Sequence, residues 1–357
     1  MGSHDIPTIP FAEFGGHLLN KALSRRIPMS GTLEITFRCN LNCVHCYCNL
    51  TAKDPAAINE EMTRAEYFSI LDQIADEGCL WLLITGGEPL IRKDFLDIYT
   101  YAKKRGFLIT LFTNGTLITP KIADHLAEWP PHEMEITLYG TTQKTHERIT
   151  GSHGSYQRCL QGIELLRERK IPLDIKTAVM TLNKKELPRI RAFAERLGMA
   201  FRFDPLLTSR LDGVQTPRQL RLSPQEVVAL DKADEKREQE WRKEFKKPVE
   251  WLQPDKLFPC GAGVTSFHID PYGKMSICDM CRFHHYDLRA GSFQEGWEEN
   301  IPLLLDTRRE TDSPCYTCPW TDQCYNCPGW SWMENGKMEE PMDYLCTITR
   351  LRAKAFG

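Results

Sequence analysis

Cysteine is the residue type that gives this chain its first candidate chemistry, because its 14 cysteines are grouped rather than spread. One group lies between Cys39 and Cys48, and a second lies between Cys260 and Cys346. Cysteine makes up about 4% of the residues, below the share that marks small disulfide scaffolds. Grouped thiols in a reducing compartment are more typical of metal or cluster ligands than of disulfides. The sequence therefore predicts metal chemistry near both ends of the chain.

The N-terminal group has a spacing that suits an iron–sulfur site. Cys39, Cys43 and Cys46 form a C-x3-C-x2-C pattern directly after a predicted strand. Three thiolates on one tight loop can bind three irons of a [4Fe–4S] cluster and leave the fourth iron open. A structural zinc site is the alternative, and it would require His45 or Cys48 as its fourth ligand.

Two further loops point to a small ligand beside these cysteines. The second predicted strand is followed by Gly86, Gly87, Glu88 and Pro89, and the third by Asn114. Loops that follow parallel strands open onto one face of a βα barrel. Adjacent glycines also permit close backbone approach, so we expect these loops to converge on the cysteines and to wrap a small ligand.

The elements that must position these loops alternate between strand and helix. From Thr32 to about Leu207, short β-rich runs alternate with amphipathic helical stretches, which is typical of a parallel sheet. The helices are bounded by cap signals such as Thr63 before one helix and Gly106 and Gly198 after two others. The predicted strands are Thr32–Phe37, Leu80–Thr85, Leu108–Thr113, Glu133–Leu138, Leu173–Val179 and Ala200–Asp204. The predicted helices are Arg64–Asp76, Lys93–Lys104, Pro120–Glu128, Tyr156–Glu168 and Glu186–Leu197.

Composition changes after the last of these elements. The segment from Pro217 to Lys256 is highly charged, and Ser223 and Pro224 are predicted to begin one helix that runs to about Phe245. Beyond it periodicity fades, and such a region needs additional cross-links or metals to be stable. The predicted organisation is an N-terminal extension (1–30), a barrel (31–207), a charged helical linker (208–256) and a cysteine-rich domain (257–357).

The chain resembles the radical SAM superfamily through the spacing of Cys39, Cys43 and Cys46, the aromatic His45 before the last of them, and the glycine motif that begins at Gly86. The resemblance covers about residues 30–207 and implies an α/β fold, a partial (β/α)6 barrel of the TIM type. It implies that S-adenosylmethionine binds the open iron of a [4Fe–4S] cluster. The residues that it places at this cofactor are Gly86, Gly87, Glu88, Pro89, Asn114 and Thr137.

The same resemblance implies the reaction. Electron delivery to the cluster would cleave the carbon–sulfur bond of S-adenosylmethionine and give methionine and a 5′-deoxyadenosyl radical, which abstracts hydrogen from a substrate. The chain departs from the family at Thr150, where many relatives carry an arginine. Arg148 and Lys176 are the alternatives for contacting the cofactor carboxylate, although a solvated charge is the simpler interpretation of both.

The C-terminal cysteines resemble the SPASM extension of radical SAM maturases. This resemblance implies two auxiliary iron–sulfur clusters, one of them bound by Cys315, Cys318, Cys324 and Cys346. The second would be bound by Cys260, Cys278 and Cys327, and either Cys281 completes it or one iron is open. Cys327 follows Cys324 after two residues, where three are usual in the family. A zinc ribbon is a weak alternative, because ribbons separate their cysteine pairs by about 15–20 residues.

Asp279, directly after Cys278, is the candidate catalytic residue. In sulfatase-maturing relatives an aspartate at this place is proposed as a base, and a carboxylate beside an auxiliary cluster could accept a proton as a substrate radical is oxidised. A solvent-facing or backbone-bonded aspartate is the alternative.

Composition excludes several other function classes. A net charge of -3 gives no basic footprint for nucleic acid or anionic lipid. No apolar run is long enough for a membrane span, and the first residues lack the order of a signal peptide, so we expect a cytoplasmic protein.

The sequence thus predicts a radical SAM enzyme that abstracts hydrogen from a peptide or protein residue, leading to crosslinking, oxidation or epimerisation. The expected partners are that substrate and an electron donor such as flavodoxin or ferredoxin. The N-terminus is expected to be too short for a leader-binding domain, so the options are a separate peptide-recognition protein or none. The alternatives are a radical dehydrogenase or epimerase of a small molecule, such as a sugar alcohol or aminoglycoside, and a non-catalytic iron–sulfur electron carrier.

Overall fold

One nine-stranded sheet forms the centre of the computed structural model, which describes residues 11–48, 50–246, 255–310, 312–321, 323–324 and 327–357. Its strands are β1 Ser30–Glu34, β2 Trp81–Thr85, β3 Leu108–Thr113, β4 Glu133–Thr137, β5 Leu173–Ala178, β6 Phe201–Asp204, β7 Ser266–Ile269, β8 Lys274–Ser276 and β9 Tyr286–Asp287. The spatial order is β9-β8-β7-β1-β2-β3-β4-β5-β6. Strands β1 to β6 are parallel to their neighbours in this order, and all six predicted strands are present.

Helices follow the strands and cover the outer face of the sheet. In chain order they are α1 Phe11–Arg25, α2 Pro55–Glu60, α3 Arg64–Asp76, α4 Phe95–Lys104, α5 Pro120–Glu128, α6 Gln143–Thr150, α7 Ser155–Glu168, α8 Leu187–Arg196, α9 Pro224–Ala233, α10 Glu235–Phe245, α11 Phe293–Glu295, α12 Ile301–Leu305, α13 Pro328–Asn335 and α14 Asp343–Phe356. The five helices predicted for the barrel are all among them. The predicted partial (β/α)6 barrel is therefore confirmed.

Local capping explains why these helices begin and end where they do. Thr63 accepts a hydrogen bond from the backbone of Glu66, whose side chain bonds back to the cap, so α3 begins with a capping box. Gly106 and Gly198 have positive φ angles of 93° and 70° shortly after α4 and α8. Left-handed backbone of this kind ends a helix at little cost when the residue is glycine.

The main hydrophobic core lies between the sheet and its helices. Alternate strand residues such as Leu82, Ile84, Ile109 and Leu111 are buried there, and their neighbours along each strand face the barrel interior. Strand side chains alternate between the two faces of a sheet, so each strand contributes to both the core and the barrel interior.

The C-terminal region extends the same sheet. Strand β7 pairs in parallel with β1, and β8 pairs antiparallel to β7. The chain that carries the later cysteines therefore begins beside the first barrel strand. The predicted domain limits stay a prediction; residues 1–10 of the extension and 247–254 of the linker lie outside the described residues.

The charged linker differs from the prediction in one respect. The single helix expected from Pro224 to about Phe245 is divided into α9 and α10 at Asp234. Asp234 has extended backbone angles, and its side chain accepts a hydrogen bond from the backbone of Arg237. The prediction of one helix was wrong because this aspartate caps a new helix inside a segment whose composition does not change. Among the described residues, no helix is long and apolar enough to span a membrane.

Candidate functional site

The three N-terminal cysteines lie together on the loop that follows β1. The thiols of Cys39, Cys43 and Cys46 are partly buried. Burial, followed by the nearby Glu88 carboxylate, raises the pKa of Cys39 to about 12. Burial also raises the pKa of Cys43, and the adjacent Cys46 and Cys39 raise it further. Three thiols in mutual electrostatic contact ionise only when a cation compensates them, which fits a metal group.

The number of thiols on this loop is the number that a [4Fe–4S] cluster with one open iron requires. A structural zinc site would bring four ligands onto one ion and would need His45 or Cys48 in addition to the three cysteines. Within the described part of the chain, no group of three His, Cys, Asp or Glu side chains is placed to hold a single metal ion.

The glycine loop after β2 packs directly against the chain that leads into Cys39. The backbone nitrogen of Gly87 donates to the Thr36 carbonyl at 2.7 Å, and that of Glu88 donates to the Arg38 carbonyl at 2.9 Å. A Cβ atom at Gly87 would lie 2.3 Å from the Arg38 carbonyl oxygen, and Gly86 has a φ of 131°. Both positions therefore require glycine.

Glu88 joins the glycine loop to the loop after β3. One carboxylate oxygen accepts from the Thr113 hydroxyl at 2.8 Å and from the Leu90 amide at 3.1 Å, and the other accepts from the Asn114 amide at 2.8 Å. Burial raises the pKa of Glu88 to about 7, although these donors favour the ionised form. Both carboxylate oxygens of Glu88 accept hydrogen bonds within the protein. The part of this loop that remains available to contact a cofactor is therefore its backbone, which continues into Pro89.

Asn114 reaches the cysteine loop through its side chain. Its amide nitrogen lies 2.9 Å from the Asn40 side-chain oxygen and 3.7 Å from the Cys39 sulfur. Thr137 is the last residue of β4, at the same sheet edge, and pairs in register with Lys176 on β5. The structure thus brings the predicted cofactor residues to one edge, around the cysteines.

The two alternatives for the cofactor carboxylate differ in their surroundings. Arg148 is exposed, as a solvated charge would be. Lys176 lies inside the barrel, with its amine 3.4 Å from the Glu135 carboxylate, and burial lowers its pKa to about 7. The solvated interpretation is wrong for Lys176, because Glu135, itself bonded to Arg202 at 2.6 Å, holds it in the interior.

Sequence reasoning did not identify Tyr139 as a site residue. Its hydroxyl hydrogen-bonds to the Cys43 thiol, and its ring packs against His45 with the ring centres 4.8 Å apart. Tyr139 follows β4 by two residues, and its place at the carboxyl end of a barrel strand was the available signal.

Glu34 at the end of β1 is a second site residue that the sequence did not indicate. Its buried carboxylate accepts from the Tyr47 hydroxyl at 2.5 Å and from the Arg282 guanidinium at 2.7 Å, and it lies 2.9 Å from the His268 ring. Burial acts to raise its pKa, but Arg282 and His268 bring the pKa of Glu34 down to about 2.

The C-terminal cysteines fall into two groups, and Cys281 belongs to the first. Its thiol hydrogen-bonds to that of Cys278 and lies near Cys260 and Cys327. Cys327 caps α13, and a Cβ at Gly329 in that helix would lie 2.7 Å from the Cys281 sulfur. We call Cys260, Cys278, Cys281 and Cys327 the first C-terminal group.

The remaining predicted ligands form the second C-terminal group, which consists of Cys315, Cys318, Cys324 and Cys346. Burial, followed by the nearby Cys324, Cys315 and Cys318, raises the pKa of Cys346 on α14. The Thr321 hydroxyl donates to the Cys315 and Cys318 carbonyls at 2.7 Å and 2.9 Å, so it fixes the turn that holds this pair.

Asp279 is exposed on the loop between Cys278 and Cys281, two members of the first C-terminal group. It interacts electrostatically with Arg282. The role of Asp279 as a base stays a prediction.

Comparison with known proteins agrees with this geometry. Residues 33–195 match the Radical SAM superfamily. The chain carries a radical SAM domain. The predicted resemblance and the enzyme class are therefore confirmed, and this family implies S-adenosylmethionine and one [4Fe–4S] cluster.

Relatives of this chain include two types of enzyme. It is 37% identical over 165 residues to AdoMet-dependent heme synthase from Methanosarcina barkeri, and spans 46% of that protein's length. It is 28% identical over 321 residues to mycofactocin maturase MftC from Mycobacterium tuberculosis, covering 83% of this chain and 77% of the relative. The fold resembles Streptococcus suis SuiB bound to precursor peptide SuiA, with a TM-score of 0.70, 15% identity, and coverage of 97% of this chain and 84% of SuiB.

Proposed function

We propose that this radical SAM enzyme reductively cleaves S-adenosylmethionine and abstracts a hydrogen atom from a residue of a peptide or protein. The observation that carries the proposal is the convergence of three partly buried thiols, at Cys39, Cys43 and Cys46, with the glycine loop that begins at Gly86. When bound, the reduced cluster supplies the electron that breaks the carbon–sulfur bond of S-adenosylmethionine.

The chain's own residues bind and orient these groups. Cys39, Cys43 and Cys46 would hold three irons, and the backbone from Gly86 to Pro89 would contact the methionyl amine. The Asn114 side-chain amide would donate to the Cys39 sulfur, from which it lies 3.7 Å away. Hydrogen bonds to cluster sulfurs are among the factors that set a cluster's reduction potential. Thr137 would lie beside the cofactor at the same edge.

Two auxiliary clusters are part of the proposal. The first C-terminal group, with Cys281 as its fourth thiol, would bind one [4Fe–4S] cluster, and the second group would bind the other. The hydrogen bond between the Cys278 and Cys281 thiols supports four ligands over an open iron. Eight thiolates satisfy two four-iron clusters without a further ligand.

A peptide substrate is supported by a relative whose similarity covers 83% of this chain. That relative, MftC, is named as a maturase. Crosslinking, oxidation or epimerisation would follow hydrogen abstraction, with flavodoxin or ferredoxin as the electron donor. A separate recognition protein would present the peptide.

A second candidate substrate is a tetrapyrrole. The similarity to a heme synthase supports it, because that relative has the highest identity of those compared above. Heme synthases of other organisms match 87% and 88% of this chain, so the extent of similarity does not separate the two candidates. The peptide is preferred because the C-terminal cysteines resemble the SPASM extension of radical SAM maturases.

Anaerobic reconstitution tests the radical chemistry. The native chain should bind about twelve irons if three four-iron clusters form, and should release 5′-deoxyadenosine when reduced with S-adenosylmethionine. Cys43→Ala should abolish 5′-deoxyadenosine formation, whereas the matched control Cys79→Ala, a buried cysteine outside all three groups, should retain it. A Cys43→Ala protein that still forms 5′-deoxyadenosine would refute the proposal.

Substrate class is tested in the same reactions by mass spectrometry. Peptides encoded near the gene and an iron porphyrin should be supplied in parallel. A changed peptide mass supports the preferred substrate, and a changed porphyrin mass supports the second candidate. Asp279→Asn should reduce peptide product while 5′-deoxyadenosine formation continues; unchanged product would contradict the base role of Asp279.

A further inference from the structure

A buried carboxylate connects the two halves of the molecule beside their proposed cluster sites. Glu34 lies on β1, and its residue is 1% exposed. Two of its hydrogen-bond partners directly follow cysteines: Tyr47 comes after Cys46, and Arg282 comes after Cys281. One side chain therefore holds the N-terminal cysteine loop and the loop of the first C-terminal group at a fixed separation.

A second route leads from the same carboxylate to the first C-terminal group. The His268 ring lies 2.9 Å from Glu34 and, through its other nitrogen, 3.1 Å from the Ser276 hydroxyl. That hydroxyl donates to the Cys278 carbonyl at 3.0 Å. The loop from Cys278 to Arg282 is thus tied to Glu34 at both of its ends.

Only one of the three nitrogen atoms of the Arg282 guanidinium has a hydrogen-bond partner among the described residues. Its Nη2 donates to Glu34, while its Nε and Nη1 are buried and have no hydrogen-bond partner among the described residues. The Cζ atom of the Arg282 guanidinium lies 5.2 Å from the centre of the Phe37 ring. A cation and an anion fixed in an interior of low dielectric act strongly on any charge that changes nearby.

We propose that Glu34 and Arg282 form a charge pair that tunes the reduction potential of the iron–sulfur cluster bound by the first C-terminal group. Reduction adds one negative charge to such a cluster. Arg282 favours that added charge, and Glu34 opposes it. Glu34 is therefore a positioning and tuning residue rather than a catalytic one. This inference rests on the proposed function, because it needs a cluster at these four cysteines.

The charges predict shifts of opposite sign. Glu34→Gln removes the buried anion that is hydrogen-bonded to Arg282 and leaves the positive charge of Arg282 in place, so the midpoint potential of this cluster should rise. Arg282→Gln removes the cation and leaves Glu34, so the midpoint potential should fall. The double variant should lie between the two single variants.

Redox titration of the full reconstituted chain, followed by electron paramagnetic resonance, measures these shifts. The signals are assigned by comparison with a Cys39, Cys43 and Cys46 triple alanine variant, in which only the C-terminal clusters remain. Glu61→Gln is the matched control, because Glu61 is a buried carboxylate paired with Arg38 and Arg92 on the barrel side. The cluster of the second C-terminal group serves as an internal reference.

Opposite shifts in the two single variants, with Glu61→Gln unchanged, would support the inference. Unchanged potentials, or shifts of the same sign, would overturn it, because a purely structural role does not depend on the sign of the charge removed. If Glu34→Gln fails to fold, Arg282→Gln and its sign still decide the question. A native chain without a C-terminal cluster would instead refute the proposed function.

Discussion

The carboxylate of Glu88 accepts a hydrogen bond from the backbone nitrogen of Asn114 at 2.8 Å, so one buried side chain connects the loops after two adjacent barrel strands. Three donors converge on its two oxygens. Glu88 therefore joins the glycine loop to the Asn114 loop. Since the Asn114 side chain also reaches the Cys39 sulfur, the cysteine loop is connected to both.

Replacing the carboxylate tests this connection. Glu88→Gln keeps the shape but directs an amide N–H₂ group at a backbone donor, so a buried hydrogen bond is lost and a repulsive contact is made. We expect the unfolding free energy to fall by about 1–3 kcal/mol and affinity for S-adenosylmethionine to decrease. Urea unfolding and equilibrium dialysis measure the two effects. The exposed Glu128→Gln is the control, and equal behaviour of both variants would contradict the connection.

The buried amine of Lys176 leads us to expect that the unfolding free energy of the protein depends on pH. Burial, the largest influence, lowers its pKa in the folded protein to about 7, against about 10.4 in an unfolded chain. Between these values the unfolded chain binds a proton that the folded chain lacks, so the contribution of Lys176 to the unfolding free energy rises with pH. Urea unfolding at about pH 6.5, 8 and 9.5 should show native stability rising relative to Lys176→Met.

The exposed Lys93→Met supplies the reference for this measurement. Its unfolding free energy should follow that of the native chain at every pH. A difference between the native chain and Lys176→Met that stays constant with pH would show that the amine does not change its charge in this window.

Elements of the fold could be predicted wherever their signals are local. The bounds of α3 and α5 agree with the sequence because Thr63 and Thr119 cap them and accept hydrogen bonds from backbone three residues later. The division at Asp234 could not be predicted, since charged helix-forming residues lie on both sides of it. An aspartate inside such a segment is compatible with either a continuous helix or a new cap.

Site residues divide in the same way. The cysteine and glycine motifs are local in sequence, and so they indicated the cofactor loops. Glu34 could not be found, because its partners His268 and Arg282 are 234 and 248 residues away in the chain. Cys281 belongs to the first C-terminal group because the backbone at Gly329 packs close to its sulfur. The spacing of the cysteines in the sequence does not indicate this contact.

Asp231 stabilises the helical layer beyond the barrel. It is fully buried on α9 and accepts hydrogen bonds from Arg237 at 2.6 Å and from Arg352 on α14 at 2.8 Å. Asp231→Ala removes a fully buried carboxylate that accepts hydrogen bonds from both arginines, so we expect a loss of about 3–5 kcal/mol in unfolding free energy. Chemical denaturation measures it.

An exposed ion pair is the matched control for this loss. Asp97 bonds Arg64 at 2.6 Å, and both side chains are more than half exposed. Asp97→Asn should cost less than about 1 kcal/mol. If Asp231→Ala and Asp97→Asn lower the unfolding free energy by similar amounts, then the buried Asp231 carboxylate contributes no more to stability than an exposed one.

The iron content of the chain tests whether Cys281 is a cluster ligand. If it is the fourth thiol of the first C-terminal group, Cys281→Ala leaves that cluster with three ligands and exposes one iron. Such a cluster should lose its exposed iron on gel filtration in the presence of a chelator, so the content should fall by about one iron per chain relative to the native chain treated in the same way. Cys159→Ala, at a fully buried cysteine on α7, should keep the native iron content. Full retention of iron by Cys281→Ala under these conditions would assign the cluster to Cys260, Cys278 and Cys327 alone, with its fourth iron open to the substrate.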